Sequence, residues 1–424
     1  MNIAMTQEAM SNYYTQRVSG ILRIPILVRW TTAIFLLSQV CYGPFRFFMA
    51  KFGLQGFVYF PKTLLLIMIL FMFLTMRRVS KIFVIGITII VLSTAWAMVD
   101  LPSVEQSLFG VWIIIPLLYG LLFSRHLFDD MAAYKSIFFI FLVITLAGVF
   151  INIFVHYPWT GATFQINGET IYIARQWWAL GINRIGGFSA ASFDAAMQII
   201  FFMVWLMFAL KSELIKFLLW MISGLAITMT TTKGIVGAYI ILSFFFASGR
   251  LFNHNLIWRQ CWTFIIGINV CALLLMPLST IFIHYDPVVR GYVDRFIFAS
   301  FGDRLNYTWP ASFNLLHGVL RWMIGRGIGG IGTPQTYFEP TNALPADNLY
   351  VYLAVDLGPI AAAIMLVGIY VKISGTFLLK NNALMPLLII LFSYGMVSNI
   401  IEAPILSLAL GIAIGKSFQS RRML

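Results

Sequence analysis

Long apolar runs separated by short polar segments extend over most of the sequence. Three examples are the runs at 24–40, 262–278 and 360–371. A helix needs about 17 to 25 mostly apolar residues to cross a bilayer, and a bundle tolerates shorter runs. The runs predict about twelve membrane-spanning helices, near 24–43, 54–76, 82–99, 108–123, 136–155, 189–210, 214–231, 234–247, 262–283, 348–371, 384–400 and 403–417. We therefore expect an all-α polytopic integral membrane protein with a single membrane domain over 1–424.

Two of the polar segments between the predicted helices, 156–188 and 284–347, are long enough to form structure of their own. The second, between helices 9 and 10, is rich in aromatic residues, which disordered segments lack. After Pro310 its sequence ASFNLLHGVLRWMIG predicts an amphipathic helix. We expect this helix to lie across the mouth of the bundle. The glycine-rich GRGIGGIG at its end predicts a flexible turn with an exposed backbone.

Composition supports a membrane protein and gives its orientation. Hydrophobic residues make up 60% of the chain and charged residues 10%, with a mean hydropathy of +0.89, whereas soluble chains carry about 25% charged residues. The net charge of +13 is dispersed over loop ends, so it does not indicate a nucleic-acid partner. The positive-inside rule predicts cytoplasmic termini, because that orientation places two basic clusters inside: Arg77, Arg78 and Lys81, and Lys416, Arg421 and Arg422.

The segments predicted to lie outside favour arginine over lysine. After residue 62 the only outside lysine is Lys233, and the outside arginines are Arg175, Arg184, Arg290, Arg295, Arg304, Arg321 and Arg326. Arginine presents a fixed, permanently charged fork that suits phosphate or carboxylate. These arginines predict an anion site as a group. The alternative for any one of them is an ion pair, with Asp286, Asp294, Asp303 or Glu339, or contact with lipid headgroups.

Four short sequences place these cations beside features that suit an anion. Arg184 precedes a Gly-Gly pair and the start of a helix, where free backbone N–H groups attract negative charge. Lys233 lies at the outer mouth of the eighth helix, Arg304 and Trp309 precede the amphipathic helix, and Arg326 lies in the glycine-rich turn. The alternative for each glycine pair is that it allows close packing.

Two carboxylates follow near the tenth helix. Asp347 and Asn348 are placed to cap its N-terminus, and Asp356 lies nine residues beyond Asp347, about two and a half turns deeper. A carboxylate at that depth needs a cation or hydrogen-bond donors as partners. The outside histidines are most simply interface residues, namely His156, His284 and His317.

The order of these sequences resembles the superfamily of O-antigen ligases and Wzy-type polysaccharide polymerases. The corresponding residues span roughly 180–360: Arg184 with Gly186 and Gly187, Lys233 with Gly234, Arg304 and Trp309 with Gly325 and Gly327, and Asn348 with Gly358. Two positions depart from the superfamily pattern, because Lys233 stands for an arginine and Asp347 for a histidine. The second departure favours a polymerase over a ligase. The resemblance also implies a GT-C-like fold.

The resemblance implies a glycosyltransferase at the periplasmic face of a bacterial inner membrane. It would transfer glycan from a polyprenyl-pyrophosphate donor to a sugar hydroxyl of a lipid-linked acceptor, with a chain-length regulator and a flippase as candidate partners. Asp347, or Asp356 in its place, would act as the base. No metal or other cofactor is expected, because no acidic or histidine cluster has convincing ligand spacing. Pyrophosphate would bind Arg184, Lys233, Arg304, Arg321 and Arg326; glycan would bind Trp309, Asn348 and His317.

Other functions stay open from the sequence alone. A ligase that moves finished polymer to lipid A core would share the donor and the arginines. A lipid-glycan flippase or transporter would place ionisable residues near the middle of the membrane and would often show two similar halves. Here Arg29 and Asp356 are the only ionisable candidates, and no convincing internal repeat is evident. A structural membrane subunit would show no preference for arginine outside.

Overall fold

The chain folds mainly into helices at the positions of the apolar runs. The computed structural model describes residues 24–75, 80–166, 169–179, 181–285, 291, 300–379 and 383–418. The first helices are α1 (Ile24–Val40), α2 (Tyr42–Lys51), α3 (Phe60–Thr75), α4 (Lys81–Asp100), α5 (Val104–Asp129), α6 (Met131–Phe154), α7 (Ser192–Ala209), α8 (Glu213–Met229) and α9 (Lys233–Leu251). The later ones are α10 (Leu256–Ser279), α11 (Trp309–Asn314), α12 (Gly318–Ile324), α13 (Thr333–Phe338), α14 (Leu349–Leu357), α15 (Pro359–Leu379), α16 (Leu384–Gly395) and α17 (Pro404–Phe418).

The helices identify a multi-pass membrane protein. Eight helices within the described residues are long and apolar enough to cross a membrane, and the pair α1 and α2, bent by 83°, makes a ninth if it counts as one span. The other helices at predicted span positions are shorter: α8 has 17 residues, α16 has 12 and α17 has 15. A helix therefore lies at every predicted span position within the described part of the chain.

Polar side chains fix where several helices begin. Ser80, Ser103, Ser212 and Asn255 each precede a helix and accept a hydrogen bond from the backbone N–H three residues later. Such a cap satisfies one of the backbone donors that the first turn leaves free. The short polar segments between the apolar runs thus set the starts of α4, α5, α8 and α10.

Glycines allow α5 and α17 to pack closely in the centre of the bundle. A Cβ atom at Gly120 would lie 2.3 Å from the carbonyl oxygen of Leu408, and one at Gly411 would lie 2.1 Å from that of Leu117. Small residues permit such close approach between helices in a membrane, where association depends on packing rather than on the exclusion of water.

One end of the bundle holds ion pairs near the turn between α5 and α6. Arg29 donates to Asp130 at 2.8 Å, and Lys416 pairs with Asp129. Arg29 therefore has a carboxylate partner at this turn, which explains a charge that the sequence places within the first apolar run. The residues considered below as a functional site lie at the opposite end of the bundle.

The predicted tenth span at 348–371 is not continuous, and this part of the prediction is wrong. The chain forms α14 and α15 with a break at Gly358, which has φ +90°. A Cβ atom there would lie 2.3 Å from the carbonyl oxygen of Met323. The residues around Met323 pack directly into the break, so only glycine fits at this position.

The glycine-rich segment satisfies the backbone of the broken helix. Arg326 N–H donates to the Val355 carbonyl at 2.7 Å, and Gly327 N–H donates to the Asp356 carbonyl at 3.0 Å. Carbonyls at a helix end need partners when no water is present. The segment 325–332 is buried, so the predicted flexible turn with an exposed backbone is wrong.

The two long loops also have a structure that differs from the predictions. The expected single amphipathic helix consists of α11 and α12, separated by 315–317 and preceded by a π-helical turn, Arg304–Thr308. The loop 156–188 contains the antiparallel hairpins β1 (Thr163–Ile166) with β2 (Glu169–Tyr172), and β3 (Trp178–Ala179) with β4 (Ile182–Asn183). These strands were not predicted from the sequence.

The break at Gly358 yields a stability prediction. Gly358→Ala should lower the free energy of unfolding in detergent by about 2 kcal/mol or more, because alanine is strained at positive φ and its Cβ would meet backbone. Gly375→Ala is the matched control: it lies in α15, a Cβ there meets nothing within 4 Å, and alanine favours helix. Thermal unfolding of the two purified variants compares them. Equal stability of both variants would contradict the packing described here.

Candidate functional site

Arg184 is held beside the start of α9 by two hydrogen bonds. Its Nε donates to the Thr231 hydroxyl at 3.0 Å, and its Nη2 donates to the Thr231 carbonyl at 2.9 Å. Thr231 has φ +52°, an uncommon conformation outside glycine that turns this carbonyl out of the α8–α9 connection. The loop after β4 thus brings a guanidinium next to Lys233.

Lys233 is the first residue of α9, and its neighbour Gly234 packs against α16. A Cβ atom at Gly234 would lie 2.6 Å from Val397 Cγ2 and 2.9 Å from Tyr394 Cδ2. The Lys-Gly pair therefore serves two purposes: the glycine allows α9 to approach Tyr394, and the lysine adds a charge there. The positive charge of Lys233 interacts with those of Arg184 and Arg304.

Arg304 pairs with Asp347 across the large loop. Their Nη2 and Oδ2 atoms are 3.2 Å apart, and the side chains are 19% and 36% exposed. Arg304 also donates to the Ser300 carbonyl at 3.0 Å, while its buried Nε has no hydrogen-bond partner among the described residues. The residue begins the π-helical turn, a feature that often marks a functional site.

Asp347 lies immediately before the cap of α14. The next residue, Asn348, accepts hydrogen bonds from the backbone N–H groups of Tyr350 and Val351 at 2.7 and 3.1 Å. Asn348 therefore caps the helix, as expected, and leaves the Asp347 carboxylate for Arg304. Burial raises the pKa of Asp347, and the nearby Arg304 guanidinium opposes the rise.

Tyr394 completes this arrangement, and the sequence did not single it out. The pKa of Arg184 is lowered by burial and by the positive charge of Arg304, while Tyr394 opposes the lowering. Tyr394 also interacts electrostatically with Asp347 and Arg304. We call Arg184, Lys233 and Arg304 the first cation cluster. Three like charges repel each other, so a bound anion would relieve their repulsion.

The structure places Arg326 outside this cluster. Its Nη2 donates to both carboxylate oxygens of Glu339 at 2.9 and 3.0 Å, and its Nη1 donates to the Gly330 carbonyl at 2.7 Å. Gln106 also donates to Glu339 at 2.7 Å. Arg326 and Glu339 are 6% and 7% exposed. These contacts occupy the guanidinium, which therefore stabilises the fold of the glycine-rich segment.

Three other predicted site residues are also committed to packing or pairing. Arg321 donates to Asp100 at 2.9 Å, at the end of α4. Trp309 is only 1% exposed, so its ring faces cannot stack on a sugar as the sequence suggested. Asn348, also 1% exposed, donates to the Met396 carbonyl at 3.1 Å as well as capping α14.

Asp356 has a backbone donor for one carboxylate oxygen, while its buried Oδ2 has no hydrogen-bond partner among the described residues. It is 1% exposed, and its Oδ1 accepts a hydrogen bond from the Gly330 N–H at 3.1 Å. The Ser93 hydroxyl donates to its backbone carbonyl at 3.2 Å. Asp356 therefore joins the helix break to the glycine-rich segment, whereas the half-buried carboxylate of Asp347 pairs with Arg304.

His317 lies on a separate exposed surface. It lines a cavity of about 490 Å³ together with Phe313, Asn314 and Trp322. The rings of Phe313 and Trp322 are nearly parallel, at 9°, with centroids 6.2 Å apart. An imidazole, an amide and aromatic rings are groups that can bind a polar ligand, so His317 remains a predicted glycan contact.

Comparisons of the chain with protein-family models, curated proteins and solved structures give no match. The functional argument therefore depends on the residues of the site and on the order of the sequence motifs. Together these point to the first cation cluster and its two neighbours, the Asp347 carboxylate and the Tyr394 phenol.

The two kinds of arginine should respond differently to substitution. Arg326→Ala should lower the free energy of unfolding by about 3 to 5 kcal/mol, because it leaves the Glu339 carboxylate buried without its partner. Arg304→Ala should change stability by about 1 kcal/mol or less, because its ion pair is partly exposed. Thermal unfolding in detergent measures both. The opposite order of stabilities would show that Arg304 is the structural residue.

Proposed function

We propose that the protein is a polysaccharide polymerase of the Wzy type. It transfers glycan from a polyprenyl-pyrophosphate donor to the sugar hydroxyl of a lipid-linked acceptor. The observation that carries the proposal is the proximity of Arg184, Lys233 and Arg304 to one another at one end of a multi-pass helical bundle, with Asp347 paired to Arg304. The proposal includes twelve spans, a GT-C-like fold, cytoplasmic termini and a bacterial inner membrane as the site of action.

The first cation cluster suits a pyrophosphate leaving group. Attack by a hydroxyl oxygen on the anomeric carbon breaks the bond to the pyrophosphate, which departs with additional negative charge. Fixed positive groups aimed at a developing charge stabilise it without reorganisation. Arg184 is already oriented by Thr231, and Arg304 by Ser300, so neither must be ordered when the donor binds.

Asp347 is the proposed base that accepts the proton of the attacking hydroxyl. Burial raises its pKa toward neutrality, which improves a carboxylate as a proton acceptor. Its contact with Arg304 links the two tasks, because a phosphate that takes hydrogen bonds from Arg304 competes with the carboxylate. Donor binding would thus free the Asp347 oxygens for the acceptor.

The rival functions make different predictions about the same residues. A ligase would use the same cations on a different acceptor, and aspartate in place of the superfamily histidine argues against it. A transporter would need ionisable groups along a path through the membrane. Arg29 instead pairs with Asp130, and the buried Asp356 accepts from Gly330, so both are engaged within the packed protein.

The test is polysaccharide length in a strain that lacks the chain and carries single variants. Arg184→Ala, Lys233→Ala, Arg304→Ala and Asp347→Ala should each shorten the polymer, because each loses about 1 to 3 kcal/mol or more of transition-state stabilisation. The deletion strain should accumulate single repeat units. A ligase deletion would instead leave long polymer unattached.

Two controls accompany these variants. Lys233→Arg should keep long polymer, because it retains the charge and restores the residue type of the superfamily pattern. Arg250→Ala removes a cation that pairs with Glu213 in the α8–α9 hairpin, away from the first cation cluster, and should leave the polymer unchanged. Long polymer from all four alanine variants would refute the assignment.

The raised pKa of Asp347 gives a pH prediction. The base acts only when it is deprotonated, so kcat/KM should rise with pH through that pKa and be lost as the pH falls through it. The midpoint of this pH dependence should lie above the pKa of a free aspartate, which is about 3.9. Assays of purified protein over about pH 4 to 8 measure this. Residual activity of Asp347→Asn should lack the rise; an unchanged profile would exclude Asp347 as the base.

A further inference from the structure

A second group of cations lies at the same end of the bundle, and neither the sequence motifs nor the proposed mechanism uses it. We call Arg46, Lys62 and Arg175 the second cation cluster. Arg46 is on α2, Lys62 is at the start of α3, and Arg175 follows β2. The hairpin loop brings them together: Arg46 contacts the Tyr172 carbonyl at 3.4 Å, three residues before Arg175.

Arg46 and Lys62 lack a close counter-ion among the described residues. The charges of Arg46 and Lys62 repel each other. Among the described residues, no carboxylate oxygen lies within 4 Å of a side-chain nitrogen of Arg46, Lys62 or Arg175. The buried Nε of Arg46 also has no partner in the described part of the chain. Like charges held together in this way favour the binding of an anion.

Two acidic residues border the cluster but are held at a distance from it. Glu402 accepts hydrogen bonds from both the N–H and the hydroxyl of Thr333 at 2.7 Å. Burial raises the pKa of Glu402, and the charges of Arg175 and Lys62 oppose the rise. Asp194 interacts with Arg175 in the same way. The two acids thus interact electrostatically with the cations, and neither forms an ion pair with them within 4 Å among the described contacts.

Aromatic rings lie beside two of these cations. The Lys62 ammonium lies 5.6 Å from the centroid of Trp112, whose ring packs edge-on against Tyr59 at 6.0 Å. The Arg46 guanidinium lies 4.3 Å from the centroid of Tyr42. Aromatic surface with a few fixed polar groups is the usual composition of a small-molecule site.

The two cation clusters share electrostatic neighbours. Asp194 interacts with Arg175 of the second cluster, and it also interacts with Tyr394, which borders Arg184 and Arg304. One extended glycan could therefore contact both clusters at once. The pyrophosphate would occupy the first, and an acidic group further along the glycan would occupy the second.

We propose that Arg46, Lys62 and Arg175 bind the carboxylate of an acidic sugar in the acceptor glycan. That this glycan is the acceptor rests on the proposed function, whereas anion binding at this cluster does not. A second lipid pyrophosphate would present related chemistry to the same cations. A binding experiment with a separate probe for each anion distinguishes the sugar carboxylate from the pyrophosphate.

The test is calorimetric titration of the full-length protein in nanodiscs of phosphatidylcholine. The probes are a trimer of galacturonic acid, the corresponding neutral galactose trimer and inorganic pyrophosphate. The acidic trimer should bind, and the neutral trimer should bind at least tenfold more weakly. Lys62→Met and Arg175→Gln should each weaken the acidic trimer at least tenfold, while Lys62→Arg should retain its binding. Arg175 is exposed, so its variant stays informative if Lys62→Met fails to fold.

Arg304→Ala is the matched variant in the first cation cluster. It should weaken pyrophosphate and leave the acidic trimer unchanged. Equal binding of the acidic and neutral trimers, or loss of the acidic trimer in Arg304→Ala but not in Arg175→Gln, would overturn the proposal. Pyrophosphate binding that persists in Arg304→Ala and disappears when Arg175→Gln is added would assign the cluster to phosphate instead. None of these binding measurements requires glycosyl transfer. The polymerase assignment is tested separately, by polymer length, so the two proposals can fail independently.

Discussion

The need to satisfy backbone groups away from water governs the site end of this protein. A break in a helix inside an apolar bundle leaves carbonyl oxygens without a hydrogen-bond donor, because no water is present there. At Gly358 the chain meets this need by inserting the segment 325–332, whose N–H groups bond to Val355 and Asp356. The positive-φ glycines make that insertion possible, because side chains would collide with the broken helix. The break therefore fixes where α14 ends, while the Asn348 cap fixes where it begins, next to Asp347.

The arginines at this end fall into two groups, which differ in how deeply their side chains are buried. Both terminal nitrogens of Arg326 are engaged, by Glu339 and by the Gly330 carbonyl, in a buried network. Arg184 and Arg304 are oriented by backbone carbonyls and remain partly exposed toward other cations. A buried guanidinium must be neutralised within the fold, whereas a cluster of partly exposed cations retains a field for a ligand.

The two cation clusters give the proposed reaction both a leaving-group site and a source of specificity. The first cation cluster adjoins Asp347 through the Arg304 ion pair and is suited to chemistry at a phosphate ester. The second includes Lys62 beside Trp112 and is suited to recognising a charged sugar. Asp194 interacts with both Arg175 and Tyr394, so in the proposed reaction the selection of the glycan and the activation of the donor would share one electrostatic field.

The sequence alone determined the class of protein, the positions of the helices and the cap at Asn348, because hydrophobic period and capping chemistry are local. It also singled out Arg184, Lys233, Arg304 and Asp347, which the structure places near one another. It could not show that Arg326 and Trp309 differ from these residues. Arg326 is paired with Glu339 and Trp309 is packed against Phe301, and such contacts form only in the folded chain. Tyr394 and Lys62 lie within apolar runs and carry no local signal. Only the tertiary structure decided which charges are neutralised and which converge, because electrostatic pairing depends on distance in space.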